Sequence, residues 1–202
     1  MKIRNKIIAL MISLIAMPTL LVSAEKQPYF FGGVKLFDYG IDNSDLRSLN
    51  VSIVNLGFSS STSSTDNTGY GFDLGLGYDF NKNLAVEAGY TNFGTLKIKN
   101  STTGPATSNS LDITGYSLGV GVLGKFGEEK SYGYIKAGLH KWDMSGKVTT
   151  QLGSSSEALG DGTDPMLSVG YRAGIFQVSY DGYQVDEQRW LKSFTFGLKH
   201  NF

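Results

Sequence analysis

Residues 70–80 decide the fold, because two different kinds of side chain alternate along them. The stretch reads Tyr70-Gly-Phe-Asp-Leu-Gly-Leu-Gly-Tyr-Asp-Phe80. Successive side chains of a β-strand point to opposite faces, so this period of two predicts a strand with one apolar and one small or polar face. The aromatic residues stand at both ends of the apolar face and the leucines in the middle. This pattern is typical of a strand that crosses an outer membrane.

The same alternation recurs along the chain and predicts eight strands. They lie near residues 29–39, 70–80, 84–91, 111–126, 132–144, 165–172, 176–185 and 193–202. Short turns alternate with longer segments rich in Ser, Thr, Asn and Gly, at residues 41–67, 100–109 and 146–163. We therefore predict an all-β fold, an eight-stranded antiparallel up-and-down transmembrane β-barrel. Residues 51–58 fit either a strand extension or a loop.

The first 24 residues have the order of an export signal. Three basic residues precede the apolar run Ile7–Val22, and Val22-Ser-Ala24 supplies a small-residue cleavage site. A retained anchor helix is the alternative, but the run is short for a membrane span. We expect residues 1–24 to be a cleaved signal peptide and residues 25–202 to be an outer-membrane barrel domain.

The composition excludes several classes of protein. Lys plus Arg and Asp plus Glu number 18 each, so no excess of positive charge points to nucleic acid. The chain has no Cys, which removes disulfides and thiolate metal sites. It has 26 Gly, 11 Tyr and 12 Phe but only 4 Pro, which favours sheet over helix.

Alternation alone does not decide which face of each strand points outward. A soluble lipocalin-like barrel would turn its apolar residues inward. The glycine, serine and charged residues of the second face are too small and hydrophilic to form a dry core, and aromatic rings at strand ends prefer a membrane–water boundary. We therefore expect the apolar face to contact lipid and the polar face to fill the narrow interior.

This orientation directs nine charged side chains inward, five positive and four negative. They are Lys35, Asp73, Asp79, Glu87, Lys125, Lys136, Arg172, Asp181 and Lys199. Buried charges are tolerated when they are paired and hydrogen-bonded. The near-balance of sign therefore predicts an internal ion-pair network that plugs the barrel.

Three segments of the chain resemble the OmpA-like transmembrane domain of Gram-negative outer-membrane proteins: Leu84–Gly94, Gly119–Phe126 and Tyr134–Asp143. The terminal Phe202 resembles the barrel-assembly signal of that class. The resemblance implies an outer-membrane location and three partners: outer-membrane lipid, lipopolysaccharide and the barrel-assembly machinery. Because the chain ends at its barrel, we expect no peptidoglycan-binding domain.

Two interior positions match a gating salt-bridge network of the best-known member of that family. Glu87 stands at the place of its carboxylate and Lys125 at the place of its lysine. Gly170 and Gln177 stand where the family member has its second acid and its arginine. The resemblance therefore supports the predicted fold, but the two mismatched positions argue against a specific gating mechanism.

Three short motifs partly match patterns that occur in binding sites. Gly119–Gly124 fits the dinucleotide pattern G-x-G-x-x-G, but it lies inside a predicted strand and opens no helix. The acidic pairs in Asp42–Asp45 and Asp161–Asp164 lack a full cation-binding loop, and turn formation is the preferred interpretation. We predict no cofactor and no metal site.

Catalysis would need a nucleophile beside a base. His140 and His200 are the only histidines. Ser145 is five residues from His140, which places the two on opposite faces of a strand. His200 has no serine beside it on its own face, and we predict no catalytic residue.

The sequence thus favours a non-enzymatic outer-membrane barrel whose plugged interior anchors surface loops. Residues 41–67 and 146–163 are the expected contact surfaces, because loops on a rigid scaffold carry recognition. Envelope integrity, adhesion or contact with a host cell or neighbouring cell would be their role. The alternatives are a small OmpW-type pore or ligand-transport barrel, and a lipid-modifying outer-membrane enzyme.

Overall fold

The computed structural model describes residues 27–41, 46–47, 61–102, 108–150, 153–186 and 189–202. The predicted signal peptide and residues 42–45 and 51–58 lie outside this part of the chain. Within it, no helix is long and apolar enough to cross a membrane. The strands are β1 (Gln27–Asp38), β2 (Ser61–Asp66), β3 (Thr68–Asn81), β4 (Leu84–Thr102), β5 (Ser108–Glu128), β6 (Ser131–Thr150), β7 (Gly153–Ala173), β8 (Phe176–Gln184) and β9 (Trp190–Asn201).

The strands form one antiparallel sheet that closes into a ring. Its order is β1, β3, β4, β5, β6, β7, β8 and β9, and β9 pairs again with β1. Strand β2 continues the line of β3 and pairs with the far part of β4. Between β2 and β3, the Asn67 side chain bonds both the amide and the carbonyl of Ile41. The predicted eight-stranded barrel is confirmed.

The two ends of the barrel differ. At the turn end, three short turns join β3 to β4, β5 to β6 and β7 to β8, and the first and last strands begin and end there. Gly174 in the last of these turns has a φ of +58°, which glycine adopts without strain. At the opposite end, the loop end, strands β1, β4, β6 and β8 end and strands β5, β7 and β9 begin.

Two predicted loops at the loop end reach too far into the strands. Residues 146–150 and 153–163 belong to strands, because β6 runs on to Thr150 and β7 begins at Gly153 rather than at Pro165. Of residues 100–109, the first three belong to β4 and the last two to β5, and residues 103–107 lie outside the described part of the chain. Ser and Thr can lie in a strand wherever a neighbouring strand supplies backbone hydrogen bonds. The amino-acid composition of these segments therefore does not distinguish a strand from a loop. Consequently β4 to β7 rise above the shorter β8, β9 and β1, and Asp161–Asp164 lies in β7 rather than in a turn.

The alternation of faces is as predicted. On β3, Tyr70 and Leu76 on the outer wall are 83% and 61% exposed, whereas Asp73 between them is 7% exposed. Aromatic rings meet on the outer wall at both ends of the apolar belt. Near the loop end Tyr90 stacks on Tyr116, with ring centroids 6.0 Å apart. Phe176 and Phe196 meet near the turn end.

Inward glycines of β3 provide space for inward aromatic rings of β1. Gly77 lies opposite Tyr29, and Gly75 lies opposite Phe31. A Cβ atom on Gly77 would lie 2.2 Å from Cζ of Tyr29, and one on Gly75 would lie 2.3 Å from Cζ of Phe31. The narrow interior therefore requires glycine at these positions, because ring and side chain cannot share one space.

Candidate functional site in the barrel interior

All nine charged residues predicted to point inward do lie in the interior, and each takes part in an ion pair. The six pairs have nitrogen–oxygen distances between 2.5 and 3.2 Å. Because the strands alternate strictly, side chains far apart in the sequence meet across the lumen. The pairs form three groups that follow one another along the barrel axis.

The first group lies next to the loop-end half and joins one lysine to two acids. Lys35 Nζ is 2.7 Å from Asp181 Oδ2 and 3.2 Å from Asp73 Oδ2. The same ammonium group donates a hydrogen bond to Thr195. Lys35 is 2% exposed, so these oxygens replace its water shell.

The central group is built around Glu87 on β4. Arg172 Nη2 is 2.5 Å from Glu87 Oε1, and Lys136 Nζ is 3.2 Å from Oε2. Tyr29 donates its hydroxyl to Glu87, and Arg172 Nε donates to the amide oxygen of Gln177. The carboxylate is thus bonded from three strands besides its own.

The third group lies nearest the turn end. Asp79 accepts from Lys125 at 2.7 Å and from Lys199 at 2.9 Å. The hydroxyl of Tyr132 accepts from both Lys199 and Arg172, and so links this group to the central one. The network therefore runs from strand to strand around the whole ring.

The two positions that resemble the family's gating network lie in different groups. Glu87 pairs with Arg172 and Lys136, whereas Lys125 pairs with Asp79. Gly170 provides space for the ring of Tyr134, since a Cβ there would be 2.5 Å from that ring. The sequence could have indicated Arg172 as a partner of Glu87, since both alternate inward, but it gave no register between β4 and β7.

Aromatic rings fill the space between the ion pairs. Lys199 Nζ is 3.7 Å from the ring centroid of Tyr29, and the Arg172 guanidinium is 4.8 Å from that of Tyr134. A small cavity of about 20 Å³ beside Asp73 and Glu87 has room for roughly one water molecule. Oδ1 of Asp73 borders this space without a protein partner. The described interior is therefore nearly filled at this level.

Above the ion pairs, towards the loop end, lies an apolar cluster that the sequence reasoning missed. Its buried members are Phe37, Tyr39, Phe93, Leu96, Ile98, Trp142, Met166, Tyr183, Val185 and Leu191. Three of them, Phe93, Leu96 and Ile98, come from the part of β4 beyond residue 91, where the predicted strand ended. The alternation of Leu96 and Ile98 with Lys97 and Lys99 was the signal that could have revealed it.

The histidine and serine that were weighed as a catalytic pair do not meet. His140 is buried in the interior, where Nε2 lies 2.9 Å from the carbonyl of Gln184. Ser145 is exposed and bonds Thr114. Across the described ranges, no group of three His, Asp or Glu residues is placed to hold a metal ion.

A closed antiparallel ring with an apolar wall and paired interior charges defines an integral membrane β-barrel of the outer-membrane class. The chain belongs to the family described as outer membrane protein beta-barrel domain, whose model matches residues 7–202. Membership agrees with the OmpA-like resemblance and implies a location in the outer membrane. A search of curated protein sequences found no match.

The chain is similar to solved structures at low sequence identity. Ail, the attachment invasion locus protein of Yersinia pestis in complex with the heparin analogue sucrose octasulfate, is 15% identical with a TM-score of 0.50. The match covers 89% of this chain and 100% of Ail. The N-terminal β-barrel domain of Pseudomonas aeruginosa OprF is 13% identical with a TM-score of 0.43, over 87% of this chain and all of that domain.

Proposed function

We propose that this protein is a non-enzymatic outer-membrane anchor with a closed interior, which carries an extracellular sheet for contact at the cell surface. The observation that carries the proposal is the filled lumen, in which nine charged residues pair with one another across the strands. A pore of this small circumference would need a wet path along its axis. The separation of His140 and Ser145 supports a role without catalysis.

Conductance in planar lipid bilayers tests the closed interior. The purified barrel should give no steady single-channel current. The double variant Glu87→Ala, Arg172→Ala removes the central pair and should also stay silent, because the apolar cluster still closes the loop-end half. A steady open channel in the wild-type protein would contradict the proposal and favour the transport alternative.

The loop end is proposed to face the outside, since outer-membrane barrels place their longer connections there. The loop-end parts of strands β4 to β7 would then stand above the membrane together with β2. Their outer face carries a charged row, which we define as Asp66, Lys97, Asp112 and Lys147, neighbours across β2, β4, β5 and β6. Such a sheet is suited to ligand contact. The heparin analogue bound by Ail is consistent with this proposal.

Single cysteines test the orientation, because the chain has none of its own. Lys147→Cys lies at the loop end and Lys82→Cys lies in a turn at the turn end. A membrane-impermeant maleimide added to intact cells should label the first variant and spare the second. Labelling of the second variant alone would reverse the orientation.

Adhesion requires a separate test of the extended sheet. Lys147 pairs in register with Ser156, so removal of residues 147–156 shortens the β6–β7 hairpin without shifting the strands below it. Cells that carry this variant should adhere less to host-cell monolayers than cells with the full barrel. Equal adhesion would remove the hairpin from the proposed contact surface.

The terminal residue is proposed as the signal read by the barrel-assembly machinery. Phe202 is 71% exposed at the turn end, and its amide donates to the carbonyl of Pro28. An accessible C-terminal ring suits recognition by another protein. Phe202→Ala should lower the amount of folded barrel in membranes, measured by heat-modifiable migration in gels, while the purified variant refolds normally in detergent.

One observation favours a ligand-binding barrel as the second candidate. A cavity of about 60 Å³ at the loop end is lined mainly by apolar residues, among them Phe93, Leu96, Ile113 and Met144. Saturable binding of a small apolar ligand such as benzene, lost in Leu96→Trp, would support this alternative. The closed network beneath the cavity would still allow binding without passage.

A further inference from the structure

Lys141 on β6 differs from the other outward-facing lysines in its surroundings. Its cross-strand neighbours are Leu118 on β5 and Thr163 on β7. Three other outward lysines have an aspartate as a cross-strand neighbour, namely Lys97, Lys147 and Lys192, and Lys99 has serine neighbours on both sides. Among the described residues, no carboxylate lies within ion-pair distance of the Lys141 ammonium group. This exposed cation therefore lacks an anionic partner and has a leucine and a threonine as its cross-strand neighbours.

An apolar concavity in the outer wall begins at Lys141 and extends towards the middle of the belt. The concavity is shallow and open to the outside, and nearly all of its lining surface is apolar. Its principal side chains are Leu76, Ala88, Tyr90, Leu118, Val120 and Leu139. Ala88 creates the depression, because it stands in register between the larger Leu76 and Val120.

We propose that this concavity binds lipid A, the phosphorylated lipid of lipopolysaccharide, with an acyl chain over Ala88 and a phosphate at Lys141. A lysine in contact with hydrocarbon raises the free energy of the folded barrel, and less so near the interface, where its flexible stem lets the ammonium group reach head groups. A phosphate there supplies the missing negative partner. The inference rests on the proposed orientation, which places the loop end in the outer leaflet.

Two nearby carboxylates allow a second test of the proposal, in which phosphate binding should become stronger rather than weaker. Asp143 and Asp161 face each other one row nearer the loop end, about 7 Å along the strand from Lys141. At that distance they repel a phosphate held by Lys141 without neutralising the lysine directly. Removing one of these charges should therefore strengthen phosphate binding rather than weaken it.

Native mass spectrometry of the full barrel in detergent measures the lipid that it retains. The probes are lipid A with both phosphates and its dephosphorylated form. Lys141→Ala should bind lipid A about fivefold more weakly, as expected for one lysine–phosphate contact. Lys141→Arg should bind like wild type, Asp143→Asn should bind more tightly, and Lys147→Ala is the control that should change nothing.

A second variant tests the groove independently of charge. Ala88→Leu fills the depression and should weaken binding of both lipids, with heat-modifiable migration as the check that the barrel is folded. Equal binding of the two lipids by wild type, or wild-type affinity in Lys141→Ala, would overturn the phosphate site. Wild-type affinity in Ala88→Leu would overturn the groove. Binding in detergent does not depend on orientation, so failure here is distinct from failure of the cysteine-labelling test.

Discussion

The interior of this barrel is closed in two different ways along its axis. In the half nearer the turn end, carboxylates and cations pair in three groups around Lys35, Glu87 and Asp79. In the half nearer the loop end, aromatic and aliphatic side chains such as Phe93 and Trp142 pack together. Ion pairs depend on specific partners, because a lone buried charge is costly, whereas apolar packing depends mainly on volume. The two halves should therefore respond differently to substitution.

The largest effect is expected when the central ion pair loses its cation. Arg172→Met leaves Glu87 with Lys136 and the Tyr29 hydroxyl as its remaining partners. Removing one member of a buried pair typically lowers the free energy of unfolding by several kcal/mol, here about 4 kcal/mol. Urea unfolding of the barrel in lipid vesicles measures the change.

A second substitution separates charge from volume at the same site. The triple variant Glu87→Gln, Lys136→Met, Arg172→Met removes all three charges of the central group and should recover a large part of the lost free energy, because neither an unpaired carboxylate nor an unpaired ammonium group remains. If the triple variant is less stable than Arg172→Met alone, then the central group acts through packing. The contrast between the two halves would then disappear.

The apolar half should tolerate a change of shape but not a loss of volume. Phe93 is 1% exposed, and its ring centroid lies 5.6 Å from that of Phe37. Phe93→Ala should lower the free energy of unfolding by about 3 kcal/mol, at the lower end of the usual cost because Phe93 already borders a cavity. Phe93→Leu should cost less than about 1.5 kcal/mol. Equal losses in both variants would contradict volume as the controlling property.

The sequence predicted the charged half of the interior and missed the apolar half for a physical reason. Inward charges such as Asp73 alternate with apolar residues inside strongly patterned strands, so their direction follows from period two. Leu96 and Ile98 also alternate, but Ser, Thr and Gly surround the extended strands, and those residues suit loops and strands alike. The partners of each charge were not predictable either, because alternation gives a face but no register between strands.

Inward glycines contribute to the packing of both halves, because they leave space for an aromatic ring on a neighbouring strand. Gly77→Ala should lower the free energy of unfolding by about 2 kcal/mol, because the new methyl group would overlap the ring of Tyr29. The hydroxyl of the same tyrosine donates a hydrogen bond to Glu87. Gly124→Ala is the matched control, because a Cβ at that position meets no atom within 4 Å. Thermal midpoints from heat-modifiable migration compare the two variants, and equal midpoints would refute the ring-packing explanation.

The smallest effect is expected outside the barrel interior, in the charged row of the extended sheet. Lys97 lies opposite Asp66 and Asp112 and is exposed, so Lys97→Ala should lower the free energy of unfolding by only about 0.5 kcal/mol. Salt screens exposed charges far more than buried ones. Raising the salt concentration from 0.05 to about 1 M should therefore erase the effect of Lys97→Ala while leaving that of Arg172→Met almost unchanged. If both effects fell in parallel with salt, water and ions would have access to the central pair, and the closed half of the interior would have to be described as open.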